Sequence, residues 1–272
     1  MARRPKLQLC IDRVVPLHQK VAAAQLARSE NSLNEPPPIV LAPGASLHPV
    51  KIALVTGKRW QNARTLTVRF LDGSTTQRTK TQGQAITWSQ FANITFKFFT
   101  TGTADIRISF KADPGSWSAV GTDCLLRNAF PANEPTMNFG WLRDDTQDEE
   151  YRRVVLHEFG HALGAIHEHQ NPSGGIQWNL PAVYAYFSGP PNNWTKEEID
   201  FNVVQKYSIT QLNASKFDRQ SIMLYAFPAA LIKGGKGTSS NSRLSIADKQ
   251  FIRKMYPKGA ATAKLTRKLA AT

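Results

Sequence analysis

One stretch of the sequence decides the fold: His157-Glu158-Phe159-Gly160-His161-Ala162-Leu163-Gly164-Ala165-Ile166-His167. His157 and His161 are four residues apart, so a helix would place both imidazoles on one face, where they can bind a single metal ion. Gly164 follows where helices commonly end in a left-handed residue, a conformation that glycine adopts most cheaply. The chain can then turn and bring His167 to the same ion. Three histidines leave the fourth position of a tetrahedral Zn²⁺ open, which is the arrangement of catalytic sites.

The alternative is an ordinary amphipathic helix that happens to carry histidines. Four of the six histidines in the chain, however, lie between residues 157 and 169. A bare H-E-x-x-H pattern arises by chance in roughly one chain in a few hundred, and the glycine and third histidine lower that frequency by about three further orders of magnitude. We therefore adopt the metal site. Glu158, between the first two histidines, is then predicted to act as the general base on the attacking water.

A second stretch, Ser221-Ile222-Met223-Leu224-Tyr225, follows the histidines in the sequence. Together the two stretches resemble the signature of the metzincins, zinc peptidases marked by H-E-x-x-H-x-x-G-x-x-H and a later methionine turn. Glu168 directly after the third histidine, and the tyrosine two residues after Met223, resemble the astacin family most closely. The resemblance implies a zinc-dependent endopeptidase that hydrolyses peptide bonds in a protein or peptide. It also implies that Met223 underlies the zinc site and that Tyr225 binds zinc or stabilises the reacting carbonyl.

The chain departs from the astacin pattern at several points. Typical astacin domains carry two disulfides, whereas this chain has only Cys10 and Cys124 and can form at most one. Leu224 stands where many astacins have histidine. In astacins the glutamate equivalent to Glu168 contacts the new N-terminus made by propeptide removal, yet residues 1–47 show no inhibitory aspartate motif. The thiol of Cys10 could cap the zinc in a latent form; we favour the simpler interpretation of an ordinary thiol.

The resemblance covers about residues 50–257 and implies an α+β, two-lobed domain. A twisted mixed sheet with an edge strand and the zinc helix would lie above the cleft, and an irregular lower lobe with a C-terminal helix below it. The sequence pattern predicts strands at 65–71, 93–99 and 104–110, and a helix over 77–91. Residues 135–141 are the predicted edge strand, which is either an ordinary edge or a place where an extended peptide substrate adds a strand.

The chain divides into three parts by composition. Residues 1–47 combine a short predicted helix (14–29) with three consecutive prolines, as expected of an N-terminal arm or pro-segment with a stiff linker. Residues 48–257 form the catalytic domain, and residues 258–272 are a basic flexible tail. Thr195-x-x-Glu198 and Ser245-x-x-Asp248 predict capping boxes at two helix starts. The acidic run before the zinc helix is expected to complement the helix dipole, and His169 to lie at the surface or beside the ligands.

The net charge of the chain is +14, and the two ends contribute half of it. Residues 48–257 hold 24 basic and 17 acidic side chains, a balance of +7. No basic stripe interleaved with aromatic residues is present, so no nucleic-acid partner is expected. The sequence contains no transmembrane segment and no recognisable signal peptide, although the resemblance implies an extracellular protein. We expect a monomer.

Two other functions remain open at this point. One is a catalytically idle zinc-binding protein used for interaction, against which Glu158 and Tyr225 argue. The other is a basic protein that binds nucleic acid or a membrane surface through its tails. That function would require no metal and would show a steep salt dependence.

Overall fold

The structure is a computed structural model that describes residues 10–13, 15–35, 57–112, 115–171, 174–190, 192–206 and 216–259. One mixed sheet contains six strands: β1 (Cys10–Asp12), β2 (Thr65–Phe70), β3 (Thr95–Phe99), β4 (Ile106–Ser109), β5 (Ser116–Ser118) and β6 (Met137–Asn138). Their order across the sheet is β1-β5-β6-β4-β2-β3. Strands β5 and β6 are antiparallel, and the other neighbouring pairs are parallel. This mixed sheet with flanking helices agrees with the predicted α+β fold class.

The three strands predicted before the zinc helix are confirmed as β2, β3 and β4. Strand β2 buries alternate residues, Leu66, Val68 and Phe70, on the face that meets the core. The predicted helix over 77–91 is α2 (Thr75–Ala85) followed by a separate 3₁₀ turn (Trp88–Gln90). A capping box between Ser74 and Gln77 begins α2 two residues earlier than predicted.

The predicted edge strand at 135–141 is wrong, because β6 lies inside the sheet. It pairs with β4 on one side and with β5 on the other. Strand β5 is three residues long, too short to show an alternating pattern in the sequence. Strand β5 lies between β6 and β1, and β1, from the predicted N-terminal arm, covers the edge that β5 would otherwise expose.

The zinc helix, α3, spans Asp148–Ala162. Three acidic residues lie in its first turn, where they complement the helix dipole as predicted. It ends in a Schellman motif: the N–H groups of Gly164 and Ala165 donate to the carbonyls of His161 and Gly160, at 2.7 and 2.9 Å. The φ angle of Gly164 is 93°, as its position in the motif predicts. Phe159 packs edge-on against Phe96 of β3, at 5.1 Å between ring centroids, and fixes the helix on the sheet.

The N-terminal arm docks on the domain. Its helix, α1 (Lys20–Glu30), begins later than the predicted residue 14, and its three buried residues are all alanines. Beyond it Asn34 is fully buried, and its amide exchanges hydrogen bonds of 2.8 Å with the backbone N–H and carbonyl of Arg59. Glu30 forms an ion pair with Arg64 at 2.8 Å. The arm therefore has an attachment to the domain that is separate from β1. The predicted boundary between residues 47 and 48 lies outside the described residues.

The lower lobe has little regular structure, as predicted. Its helices are α4 (Leu180–Phe187) and α5 (Lys196–Ile199), which continues as a π-helical turn (Asp200–Val204). The last helix, α6, spans Ile246–Met255. Both predicted capping boxes, at Thr195 and Ser245, are confirmed. Within the described residues no helix has the length and apolar character needed to cross a membrane. Most of the predicted tail, from residue 260 on, lies outside them.

Candidate active site

The three predicted metal ligands meet above the end of α3. The Nε2 atoms of His157, His161 and His167 lie 3.0 to 3.2 Å from one another. In a tetrahedral zinc site with bonds of about 2.0–2.1 Å, three ligand nitrogens lie about 3.3–3.4 Å apart. The observed spacing is close to that value. The donor set therefore fits a zinc ion.

Hydrogen bonds fix the direction of two of these rings. Nδ1 of His157 donates to the carbonyl of Ile222 at 2.8 Å, and Nδ1 of His161 donates to that of Ala165 at 2.9 Å. Because these carbonyls only accept, both Nε2 atoms carry a lone pair that points toward the shared centre. Burial and then the other two histidines hold the pKa of His157 well below its usual range. A neutral imidazole is the form that binds a metal.

The predicted base, Glu158, is fully buried one residue from the first ligand. One carboxylate oxygen lies within 4.8 Å of a ring nitrogen of His157 and of the Cys10 sulfur. Burial and then the negative charge of Glu158 raise the pKa of the thiol well above its usual range.

The position of Cys10 was not foreseen from the sequence. Strand β1 runs along β5, with Cys10 opposite Ser116, and carries the thiol into the site. The carbonyl of Cys10 accepts a hydrogen bond from the Tyr225 hydroxyl. Both cysteines are buried and unpaired, so there is no disulfide between them. This position favours the alternative of a thiol that caps the site, and β-pairing of the arm, which no local pattern reveals, is what places the thiol beside Glu158.

The methionine turn lies directly beneath α3. A Cβ atom on Gly160 would overlap the sulfur of Met223, so glycine at this helix position lets the methionine pack under the histidines. Asp248 at the start of α6 accepts hydrogen bonds from the Ser221 hydroxyl at 2.7 Å and the Ile222 amide at 2.8 Å. Since the Ile222 carbonyl holds His157, Asp248 supports a ligand through the turn. The sequence predicted Asp248 only as a helix cap and gave no role to Gly160.

Tyr225 lies at the ligands, as the resemblance implies. Its ring is 4.3 Å from that of His167 and 5.3 Å from that of His157, between centroids. The hydroxyl contacts Nε2 of His167 on the side where the metal would lie. The side chain is 5% exposed, and its hydroxyl contacts include the Cys10 carbonyl and the ring of His167.

Glu168 and His169 follow the third ligand into the interior. Glu168 accepts hydrogen bonds from the amide of Asp218 and the side chain of Asn171, and burial raises its pKa to about 7. In the described part of the chain it forms no ion pair, so its contact with a new N-terminus stays a prediction. His169 is 1% exposed, so the surface position considered for it is wrong.

Comparisons with known proteins agree with this geometry. The family model described as Matrixin matches residues 59–176, which include the zinc helix and all three histidines. A solved structure of myroilysin is 46% identical, with a TM-score of 0.71 over 74% of this chain and 97% of that chain. A second structure of myroilysin is 47% identical, with a TM-score of 0.59 over 74% of this chain and 86% of that chain.

These matches identify the broad family but do not single out the astacins, so the finer resemblance stays a prediction. The identity of 46% over nearly the whole length of the matched protein is far above what a shared fold alone requires. The metal is zinc, as the three histidines predict. The chain therefore belongs to the metzincin zinc metallopeptidases and is a metalloendopeptidase.

Proposed function

We propose that His157, His161 and His167 hold the zinc ion and that Glu158 is the general base of peptide-bond hydrolysis. The convergence of three Nε2 atoms, two of them on rings fixed by hydrogen bonds, beside a buried carboxylate is the observation behind this proposal. Zinc, when bound, acidifies a water molecule and polarises the scissile carbonyl. Glu158 accepts the proton of the attacking water and passes it to the leaving amine.

Tyr225 stabilises the oxygen of the reacting carbonyl in this mechanism. Its hydroxyl lies on the ligand side of the site and donates to a backbone carbonyl oxygen, that of Cys10, in the described state. An approaching substrate would replace that acceptor with its own carbonyl. The hydrogen bond would strengthen as negative charge develops, so it would favour the transition state over the bound substrate.

The substrate is an extended peptide that pairs with β5. This strand is the last one of the catalytic part of the sheet, and a segment of the chain itself already pairs with it over Ser116–Ser118. Main-chain hydrogen bonds of this kind bind a peptide largely independently of its sequence. The pairing of β1 with β5 supports this proposal, because it shows that an extended segment fits beside β5.

The described state is a latent form of the enzyme. Strand β1 occupies the β5 edge, the Cys10 thiol lies beside Glu158, and the Cys10 carbonyl takes the Tyr225 hydroxyl. A thiolate is a good zinc ligand, so Cys10 is placed to occupy the position that water needs. Residues 1–47 are then the inhibitory arm, residues 48–257 the catalytic domain and residues 258–272 a basic tail.

Cleavage of a random peptide library by the full-length chain tests this function. The Cys10→Ala variant should cleave internal peptide bonds, a chelator should stop the reaction, and added zinc should restore it. Glu158→Gln in the same background is the control against a contaminating peptidase. Cleavage that survives both the chelator and this substitution would contradict the proposal.

A further inference from the structure

His169 links the active site to the lower lobe. Its Nε2 lies 3.0 Å from the carbonyl oxygen of Asn202, in the turn that continues α5. A carbonyl only accepts, so Nε2 carries the hydrogen and donates it. The next residue, Gln170, donates to the neighbouring carbonyl of Phe201 at 2.9 Å. Two adjacent side chains thus bind the segment after His167 to the same turn.

The ring of His169 lies against Tyr225. The two ring centroids are 5.2 Å apart with the planes 34° from parallel. Among the described residues its ring also contacts those of His167, at 5.2 Å, and of Phe227 and Trp178 in the lower lobe, at 5.2 and 6.2 Å. The ring is therefore fixed between the lower-lobe aromatic residues and the tyrosine.

We propose that His169 is a positioning residue that holds the Tyr225 ring so that its hydroxyl points at the reacting carbonyl. The hydrogen bond to Asn202 fixes the imidazole, and the fixed imidazole limits the positions open to the tyrosine. A hydroxyl already oriented in the ground state costs no reorganisation when charge develops on the substrate. This inference rests on the role proposed for Tyr225 and adds the residue through which the lower lobe controls it.

The competing explanation is that His169 only fills space in the core. It would then affect the free energy of unfolding and leave the turnover number unchanged. The two explanations differ in which measurement changes, and also in whether the effect of a substitution depends on Tyr225.

His169→Gln separates the ring from its hydrogen bond. The Gln amide can still donate to the Asn202 carbonyl, but the ring that contacts Tyr225 is gone. We expect kcat to fall by between about tenfold and the 10²-fold that a misplacement of 1 Å can cost. KM and the zinc content should not change. His169→Phe keeps a ring but loses the donor that helps to fix it, so kcat should fall by less than in His169→Gln, and the protein should melt at a lower temperature.

A double-mutant cycle with Tyr225→Phe tests whether His169 acts through the tyrosine. Every variant is a full-length, zinc-loaded chain that also carries Cys10→Ala, so that the arm does not mask differences. In the Tyr225→Phe background His169→Gln should lower kcat no further. An equal loss in both backgrounds, or a loss of zinc, would overturn the inference. If Tyr225→Phe alone has no effect on kcat, the role proposed for the tyrosine fails instead, and the inference falls with it.

Gln170→Met is the matched control, because it removes the neighbouring hydrogen bond to the same turn. Gln170 has no ring contact with Tyr225, so its loss should lower the melting temperature and leave kcat unchanged. A fall in kcat equal to that of His169→Gln would show that any weakening of the turn suffices, and would overturn the inference. If His169→Gln does not fold, His169→Met enters the same cycle with the same expected outcomes.

Discussion

The Tyr225 hydroxyl donates its hydrogen bond to the backbone carbonyl of Cys10. The proposed oxyanion donor and the arm residue proposed to block the site are thus joined in one contact. Removal of β1 would both uncover the β5 edge and leave the hydroxyl to a substrate carbonyl. In the proposed mechanism, latency and catalysis would therefore depend on the same few atoms.

Cys10→Ala should increase the activity of the full-length chain. The substitution removes the thiol beside Glu158 while β1 can still pair with β5. We expect the rate to increase by at least about tenfold, which corresponds to about 1.4 kcal/mol less free energy favouring the inhibited state. The measurement is the rate of cleavage of a quenched-fluorescence peptide. Cys124→Ala removes the other buried thiol and should leave the cleavage rate unchanged. Equal rates for Cys10→Ala and the parent chain would contradict a role for the Cys10 thiol in latency.

His161→Ala should abolish both zinc binding and activity. A catalytic zinc site needs three protein ligands, and the variant would keep only two imidazoles. Metal analysis should give one zinc per parent chain and none for the variant. The parent should also melt at a lower temperature after chelation, since a ligand that binds only the folded state stabilises it. His18→Ala, at an exposed histidine, is the control and should keep the metal.

Glu158→Gln should keep the zinc and lose the chemistry. The amide preserves the shape of the side chain but cannot accept a proton from water. Loss of a general base typically lowers the rate by about 10²–10⁴-fold. Steady-state kinetics and metal analysis on the same preparation separate the two properties. Glu197→Gln, at an exposed position, should behave as the parent; a wild-type rate for Glu158→Gln would mean that another group is the base.

Tyr225→Phe should lower kcat and leave KM nearly unchanged. The missing hydrogen bond is made only as charge develops on the carbonyl oxygen. By analogy with a single oxyanion donor the barrier should rise by about 2.7–4 kcal/mol. Tyr186→Phe, on α4 of the lower lobe, is the control. An unchanged turnover number would assign Tyr225 a packing role beside Met223.

Asp248→Asn should destabilise the fold by about 1–3 kcal/mol, because the amide keeps one acceptor oxygen where the carboxylate uses two, for the Ser221 hydroxyl and for the backbone amides of Ile222 and Ser245. Burial raises the pKa of this carboxyl in the folded state. The folded chain then binds a proton at a pH where the unfolded chain does not, so this term favours folding at low pH. It is lost as the pH rises through the folded-state pKa.

Urea unfolding of the parent and of Asp248→Asn across pH 4–8 measures both effects. The stability difference between the two proteins should depend on pH, because only the parent carries the titrating group. Asp145→Asn, at an exposed position, should show no such loss of stability. A difference that is constant across this range would contradict the pKa assignment.

The sequence by itself determined the local parts of the site. The four-residue spacing of His157 and His161 places both rings on one helix face in any fold. Gly164 ends that helix because its left-handed conformation is a property of the residue and its immediate neighbours. The capping boxes at Thr195 and Ser245 were readable for the same reason. Strands β2, β3 and β4 were also predictable, to within about two residues at each end.

The tertiary structure decided which segments meet across long distances in the chain. The order of the strands follows from pairing energies that no local pattern contains. The sequence therefore placed the edge strand at residues 135–141, whereas in the structure these residues lie inside the sheet and β5 lies beyond them. The position of Cys10 depends on β5, because β1 pairs with it. Gly160 and Met223 face each other only after α3 and the methionine turn have packed. His169 became part of the interior because the lower lobe folds over it, and its sequence neighbours carry no information about that contact.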